Sequence, residues 1–452
     1  MKRKYLKDLI EWDKNIDRKP LLVVGARQVG KSYLIEELFA KEYYKDNYLR
    51  IDCSDDKDFV KYVYDNDSLN DVLTYIQLCY NFVPNNENLL IIDEAQECLP
   101  IIKMMKHFCE KRRDIRLIVT GSLVRTKINR SFKNEKYIFP VGKINELKIY
   151  PLTFDEFILN YNENIYNYLI NSFNNKENIN LDLHKELMNV FNDYLFVGGM
   201  PEAVNTFLRY QDDKINAYNK TIDVLKDIYS NYLSDMDLYQ ASKESTIKSR
   251  RIYESIYSQL NKENKNYKCS QVIENTKNRD LINPIEWLKT SNIVFMSNLL
   301  NEKITVPLIE SNESNYRLYL SDMGLFTFQS DLNVKDFILN KDNAFSGIYY
   351  ENYVATELVA RNKKLCYWKG KRNSELEFII NIGSRIIPID SKKSRGNLNS
   401  MNEYRMHNKK DIIVKVSANQ YGYDKENKIL TLPFYYFSFF LNDIEKYIEI
   451  YN

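Results

Sequence analysis

The chain has 452 residues, with 64 Lys plus Arg against 62 Asp plus Glu and a formal net charge of +2. At roughly 100 to 200 residues per domain, that length predicts two to four domains and excludes a single small module. Balanced charge excludes a global basic field, so any grip on nucleic acid must come from a local patch, and a 44% hydrophobic, 28% charged composition excludes a disordered chain.

In chain order, Met1-Lys-Arg-Lys opens with charge, and acids interrupt Tyr5-Leu-Lys-Asp-Leu-Ile-Glu-Trp, so no signal-peptide core is expected. Leu21-Leu-Val-Val, Leu49-Arg-Ile-Asp, Leu89-Leu-Ile-Ile-Asp and Arg116-Leu-Ile-Val-Thr are short, largely apolar runs separated by helix-length segments. This predicts an α/β core, a parallel sheet covered on both faces by helices. From Phe154 to about Tyr239 helical patterns dominate, broken by the Asn-rich stretch Asn171 to Asn180. Residues 245–325 read as three helices and two strands, Ile304-Thr-Val-Pro-Leu and Tyr316-Arg-Leu-Tyr-Leu, an order that suits a winged helix-turn-helix. From about 345 a helix precedes strands at Leu365-Cys-Tyr-Trp, Glu375-Leu-Glu-Phe-Ile-Ile and Arg385-Ile-Ile-Pro-Ile-Asp, predicting a separate α/β domain. The apolar run Leu430 to Leu441 contains Pro433 and falls short of the roughly 20 residues of a membrane span, so it reads as a strand and buried aromatic cluster, and no membrane partner is expected. Cys53, Cys79, Cys98, Cys109, Cys269 and Cys366 form no CxxC pair, and with 3 His they argue against structural zinc and for a reducing cytoplasm.

Gly25-Ala26-Arg27-Gln28-Val29-Gly30-Lys31-Ser32 fits GxxxxGK[ST], follows the first apolar run and leads through Tyr33 into a helical pattern. Its glycines let backbone N–H groups turn inward around phosphate oxygens, and the helix start adds its positive dipole end. Lys31 is expected to reach the β and γ phosphates and Ser32 to ligate Mg²⁺. The run Leu89-Leu-Ile-Ile-Asp93-Glu94 would deliver two carboxylates beside this loop, Asp93 to hold Mg²⁺ through water and Glu94 to polarise the attacking water. No NKxD-like segment supports guanine. Asp93-Glu-Ala-Gln96 also resembles helicase carboxylate motifs, although no second motor core follows.

Further on, Gly347-Ile-Tyr-Tyr-Glu351 is read as a helix that places Glu351 off its apolar stripe, while Glu375-Leu-Glu377-Phe alternates acid and apolar residues. Pro388-Ile-Asp390-Ser-Lys392 repeats the alternation, so acids and a lysine from two strands should converge. Metal-dependent phosphodiester cleavage uses such a set: Glu351, Glu377 and Asp390 would hold Mg²⁺ or Mn²⁺, and Lys392 would steady the attacking hydroxide. The alternative is a retained fold that binds without cutting, its charges solvated or ion-paired. Lys248, Arg250, Arg251, Lys262, Lys265 and Lys268 form a candidate DNA-phosphate patch, which is equally the composition of a solvated face.

Arg18-Lys-Pro-Leu-Leu-Val-Val-Gly-Ala-Arg-Gln-Val-Gly-Lys-Ser, Ile91-Ile-Asp-Glu-Ala-Gln-Glu, Val119-Thr-Gly-Ser, Tyr150-Pro-Leu-Thr-Phe-Asp-Glu-Phe and Phe196-Val-Gly-Gly-Met-Pro-Glu-Ala together resemble a prokaryotic AAA+ family of ATP-binding proteins. The resemblance implies an AAA+ core at 1–153, a helical lid at 154–243, a winged helix at 244–330 and a PD-(D/E)xK nuclease-like domain at 331–452. It implies that Thr120 or Ser122 reports on the γ-phosphate. Relatives carry Gly-Arg where this chain has Gly142-Lys143, which leaves a point charge for a fork, or the role to Arg125 or Arg130. Against the family's usual segments, Glu377 replaces Asp and Asp390 replaces Glu. The expected function is an ATPase that drives or switches a DNA-associated nuclease-like tail. Its alternative is an ATP-gated binding module with an inactive tail, and the oligomeric state is left open.

Overall fold

The computed structural model describes residues 1–124, 139–240, 242–274, 276–311, 315–341, 344–371, 374–392, 399–408 and 412–451. Strands β1 (Leu21–Val24), β2 (Tyr48–Asp52), β3 (Leu89–Asp93), β4 (Arg116–Gly121) and β5 (Asn145–Lys148) form one sheet in the order β2-β3-β4-β1-β5. Every neighbouring pair is parallel. Alternate residues separate two cores. Leu22, Val24, Leu90, Ile92, Leu117 and Val119 pack with the helices Lys57–Asp65, Leu69–Tyr80 and Leu99–Lys111, while Leu21, Val23, Leu89, Ile91 and Ile118 join a larger core that runs on to the end of the chain. The four strands expected from their apolar runs are present. Strand β5 was not expected, because Asn-Glu-Leu-Lys is a largely exposed edge strand with no apolar run to mark it.

Between Lys148 and Val294 the described residues contain helices and no strand. The Asn-rich break falls between the helices Glu163–Asn174 and Leu181–Val197, where the Asn180 side chain accepts from the Asp182 N–H and caps the second.

A second sheet joins β6 (Val294–Leu299), β7 (Tyr316–Leu320), β8 (Cys366–Lys369) and β9 (Glu375–Leu376) in the order β7-β6-β8-β9. This corrects the strand expected at Ile304–Leu308. Ile304–Leu308 is not a strand: Pro307 has no N–H for a ladder, the Ile304 N–H goes to Asn408 Oδ1 at 2.7 Å, and the partner of Tyr316–Leu320 is Val294–Leu299. Because β6 also pairs in parallel with β8, main-chain hydrogen bonds cross the boundary expected near residue 330.

The third sheet holds β10 (Phe378–Ile382), β11 (Arg385–Lys392), β12 (Ile413–Ser417), β13 (Gly422–Asp424) and β14 (Ile429–Pro433) in the order β10-β11-β12-β14-β13. Glu377 sits at the break where the chain leaves the second sheet for the third. Continuous alternation would put Leu376 and Phe378 on one face. Instead the break shifts the phase by one residue, so Leu376 and Ile379 pack in one cluster and Phe378 and Ile380 in another. Leu430 to Leu441 is the end of β14 followed by the buried aromatic helix Phe434–Asn442.

Candidate functional site

The buried strand β1 ends at Val24 and turns at once against Ile149, whose carbonyl oxygen would lie 2.2 Å from a Cβ at residue 25, so only Gly25 fits. Gln28 (φ 64°) and Gly30 (φ 86°) then bend the loop through the left-handed region before a helix with wide π turns begins at Tyr33. Lys31 is 5% exposed, and its Nζ donates to Gly25 O at 3.2 Å and Ala26 O at 2.9 Å. Burial pushes its ammonium down to about 8, against the opposing pull of the Glu94 and Asp93 charges.

Strand β4 lies between β1 and β3, so Thr120 faces the β3 carboxylate across one strand spacing. Its hydroxyl donates to Asp93 Oδ1, and the Arg50 Nε and Nη2 donate to Asp93 Oδ2 at 3.1 and 2.7 Å. Burial raises the Asp93 carboxyl, but hydrogen bonds from Thr120, Arg50 and Ser32 bring it below the usual range. A hydroxyl and an ionised carboxylate in contact are the hard oxygen donors that Mg²⁺ prefers, so Ser32 and Asp93 fit that ion. Ser122 is buried just beyond β4. Glu94 adopts φ 50°, and Gln96 donates its amide to Glu94 Oε2.

Sequence reading gave no such role to five side chains that hold this site. Arg50 grips Asp93. Gln96 restrains Glu94. Arg3, 6% exposed, donates to Val29 O at 2.8 Å, Tyr150 O at 2.7 Å and Glu156 Oε1 at 3.1 Å, tying the phosphate loop to the turn after β5. Asp235, on the helix Lys214–Tyr239, lies 2.7 Å from Arg27 Nη1, and on the same helix the Tyr232 hydroxyl donates to Arg27 O at 2.9 Å. Gln96 acts on a residue two positions away, whereas Arg3, Arg50, Tyr232 and Asp235 act across long sequence separations and leave no local pattern.

Lys143 lies before β5, at the sheet end opposite the loop, because Val24 pairs with Lys148 in a parallel register. Its Nζ pairs with Glu110 at 3.0 Å, which corrects the idea that Lys143 serves the γ-phosphate of its own chain. Arg125 and Arg130 lie outside the described residues.

The C-terminal candidates are brought together, but with cations between them. The antiparallel register of β10 and β11 sets Glu377 against Asp390, and Lys392 Nζ lies 2.7 Å from Glu377 and 3.3 Å from Asp390. Burial raises the Glu377 carboxyl, yet Lys392 and Lys265 hold it down at about 2, whereas burial and the Glu377 charge push Asp390 well up. Glu351, 1% exposed, does not lie beside an apolar stripe, because its helix is buried on all sides. It accepts from Lys265 Nζ, from Arg317 Nη1 at 3.1 Å and from the Tyr319 hydroxyl at 2.6 Å. Arg317 also reaches Glu375 at 2.6 Å and lies over the Tyr367 ring at 4.2 Å. Among the described residues, no group of three His, Cys, Asp or Glu side chains is arranged to hold a metal ion. This donor set therefore does not fit the Mg²⁺ or Mn²⁺ expected at Glu351, Glu377 and Asp390.

The expected DNA patch is also largely engaged. Lys265 is half-buried and paired with Glu351 in that cluster, Lys248 pairs with Glu244, Arg250 with Asp237, and Lys262 donates to Gln271 Oε1 at 2.6 Å.

Residues 17–158 match the family model described as an AAA domain. Sheet, loop and match together define this part of the chain as a P-loop domain of AAA type, and they support ATP binding. Residues 188–336 and 346–435 match two further families, each described as a domain of unknown function. Similar solved structures include a Walker-type ATPase of Pyrococcus abyssi, with 16% identity, a TM-score of 0.44, and coverage of 73% of this chain and 95% of that one. AMPPCP-bound DnaA from Aquifex aeolicus has 14% identity and a TM-score of 0.30 over 63% of this chain and 86% of its own. The ADP form of the Aeropyrum pernix ORC2 protein has 10% identity and a TM-score of 0.28 over 65% and 84%. No curated protein matches the chain. Among the described residues no helix is long and apolar enough to cross a membrane.

Proposed function

We propose that the chain is a Mg²⁺-dependent ATPase whose nucleotide state switches the C-terminal part of the same chain. The observation that carries this reading is the meeting of Lys31, Ser32, Asp93, Glu94 and Thr120 at the C-terminal ends of three adjacent parallel strands, where open α/β sheets bind their ligands. Gly25 to Tyr33 would enclose the triphosphate. Ser32 and Asp93 would hold Mg²⁺, which neutralises phosphate charge, and Glu94, released from Gln96, would take the proton of the attacking water. Thr120 or Ser122 would report on the γ-phosphate. Glu94→Gln should still bind ATP and release phosphate at least about tenfold more slowly, because it keeps the shape and loses the charge. Unchanged steady-state release would remove Glu94 from the mechanism.

A chain of buried polar contacts supports the switching. Arg3 joins Val29 of the loop to Glu156, Arg361 joins the neighbouring Asp155 at 3.3 Å to Glu357 at 2.6 Å, and Glu357 accepts from the Phe154 N–H at 2.8 Å. Glu357 lies on the same helix as Glu351, so this helix touches both the nucleotide-binding part and the tail. In this reading the segments 1–153, 154–243, 244–330 and 331–452 act as core, lid, winged helix and nuclease-like tail.

For the tail, closure of the carboxylate cluster by Lys265, Arg317 and Lys392 favours a binding platform over a cutting site. Full-length protein with Mn²⁺, which tolerates imperfect geometry better than Mg²⁺, should not nick DNA, with or without ATP. Cleavage that Asp390→Ala abolishes while ATP turnover persists would restore the nuclease reading.

A further inference from the structure

Phosphoryl transfer gains from a guanidinium on the γ-phosphate, and Lys143 is at the wrong end of the sheet to stand in for one within its own chain. Arg27 is better placed. It lies on the phosphate loop itself, and Lys31 Nζ donates to the carbonyl of Ala26, the residue before it. Its Nη1 lies 2.7 Å from Asp235 on the helix Lys214–Tyr239, so the guanidinium is held beside the loop that would enclose the triphosphate. Its side chain is 53% exposed, and the hydrogen bond to Asp235 takes one of its five N–H donors. Asp235 is the unexpected partner: its side chain is 6% exposed, it comes from another segment of the chain, and it presents an anion to the Arg27 guanidinium. That is the charge a γ-phosphate oxygen would bring.

We propose that Arg27 is a catalytic residue of ATP hydrolysis, acting in cis on the γ-phosphate, and that Asp235 holds its guanidinium until nucleotide displaces it. The proposal rests on the ATPase reading above. In the step, the water oxygen bonds to the γ-phosphorus, the bond from that phosphorus to the β,γ-bridging oxygen breaks, and the water proton passes to Glu94. ADP leaves with the bridging oxygen and the γ-group leaves as inorganic phosphate. Arg27 forms no covalent bond; its fork neutralises charge on the transferring group. Exchanging Asp235 for phosphate would also free the Lys214–Tyr239 helix from its ion pair to the loop.

The test uses full-length protein with Mg²⁺, reading phosphate release (kcat and KM), calorimetric binding of the slowly hydrolysed analogue ATPγS, and Tm. Arg27→Ala should lower kcat at least about tenfold while the ATPγS Kd stays within about threefold, and Arg27→Lys should not restore kcat, because an ammonium lacks the fork. Asp235→Asn should move the other way, tightening ATPγS binding or raising kcat by about threefold or more, since the competing anion is gone. A structural strut predicts the same sign for both variants, with matching losses of Tm. Wild-type kcat in Arg27→Ala, or a loss in Asp235→Asn that parallels Arg27→Ala, would overturn the proposal while leaving the ATPase reading intact. Wild-type protein that neither binds ATPγS nor releases phosphate would overturn both.

Discussion

Lys31→Ala is expected to weaken ATP binding at least about a hundredfold, with a matching loss of phosphate release at any accessible ATP concentration. Without nucleotide the Lys31 ammonium is already inside the loop, hydrogen-bonded to Gly25 O and Ala26 O, so no rearrangement of the main chain is needed to present it to phosphate. Removing it leaves those carbonyls facing the triphosphate without a cation between, in a pocket where Glu94 and Asp93 already supply negative charge. Burial lowers its pKa to about 8, which gives the prediction a pH signature. The cationic form prevails below about 8 and is lost above it, so wild-type ATP affinity should be full near pH 7 and fall between pH 8 and 9. Equilibrium binding of ATPγS across that range checks both statements. Tight binding by Lys31→Ala would place the phosphates elsewhere, whereas affinity indifferent to pH would mean that Lys31 stays cationic through this range.

The second large effect is on stability. Arg317→Ala should destabilise the fold by about 3–5 kcal/mol, read as a shift of the denaturant midpoint with the slope unchanged. The side chain is 1% exposed and separates the buried Glu351 from Glu375. Removing it leaves Glu351 in the interior with Lys265 as its remaining cation, beside the repelling charge of Glu377, and it strips the Tyr367 ring of its cation contact. ATP binding should persist, because the loop at Gly25 to Ser32 belongs to another sheet. A loss below about 1 kcal/mol would mean that water reaches the cluster and screens it.

The phosphate loop, the acidic end of β3 and the four apolar strands of the first sheet were legible because each is a local pattern with a backbone cause: glycines where the chain must turn, and apolar runs where a strand is covered on both faces. The convergence of Glu377, Asp390 and Lys392 was legible through strand register. What could not be read was which charges meet. Lys265 and Arg250 have the composition of a DNA-binding patch, yet one pairs with the buried Glu351 and the other with Asp237. Arg3, Arg50 and Asp235 sit in stretches without any motif and become site residues only when distant segments pack. The polar edge strand β5 and the phase shift at Glu377 escaped notice because alternation describes one continuous strand, and it carries no information about where a chain joins an edge or passes from one sheet to the next. Local backbone demands are written in neighbouring residues. The pairing of buried charges depends on desolvation and on contacts between residues far apart in the chain, so folding alone decides whether a carboxylate cluster opens to a metal or closes on arginine and lysine.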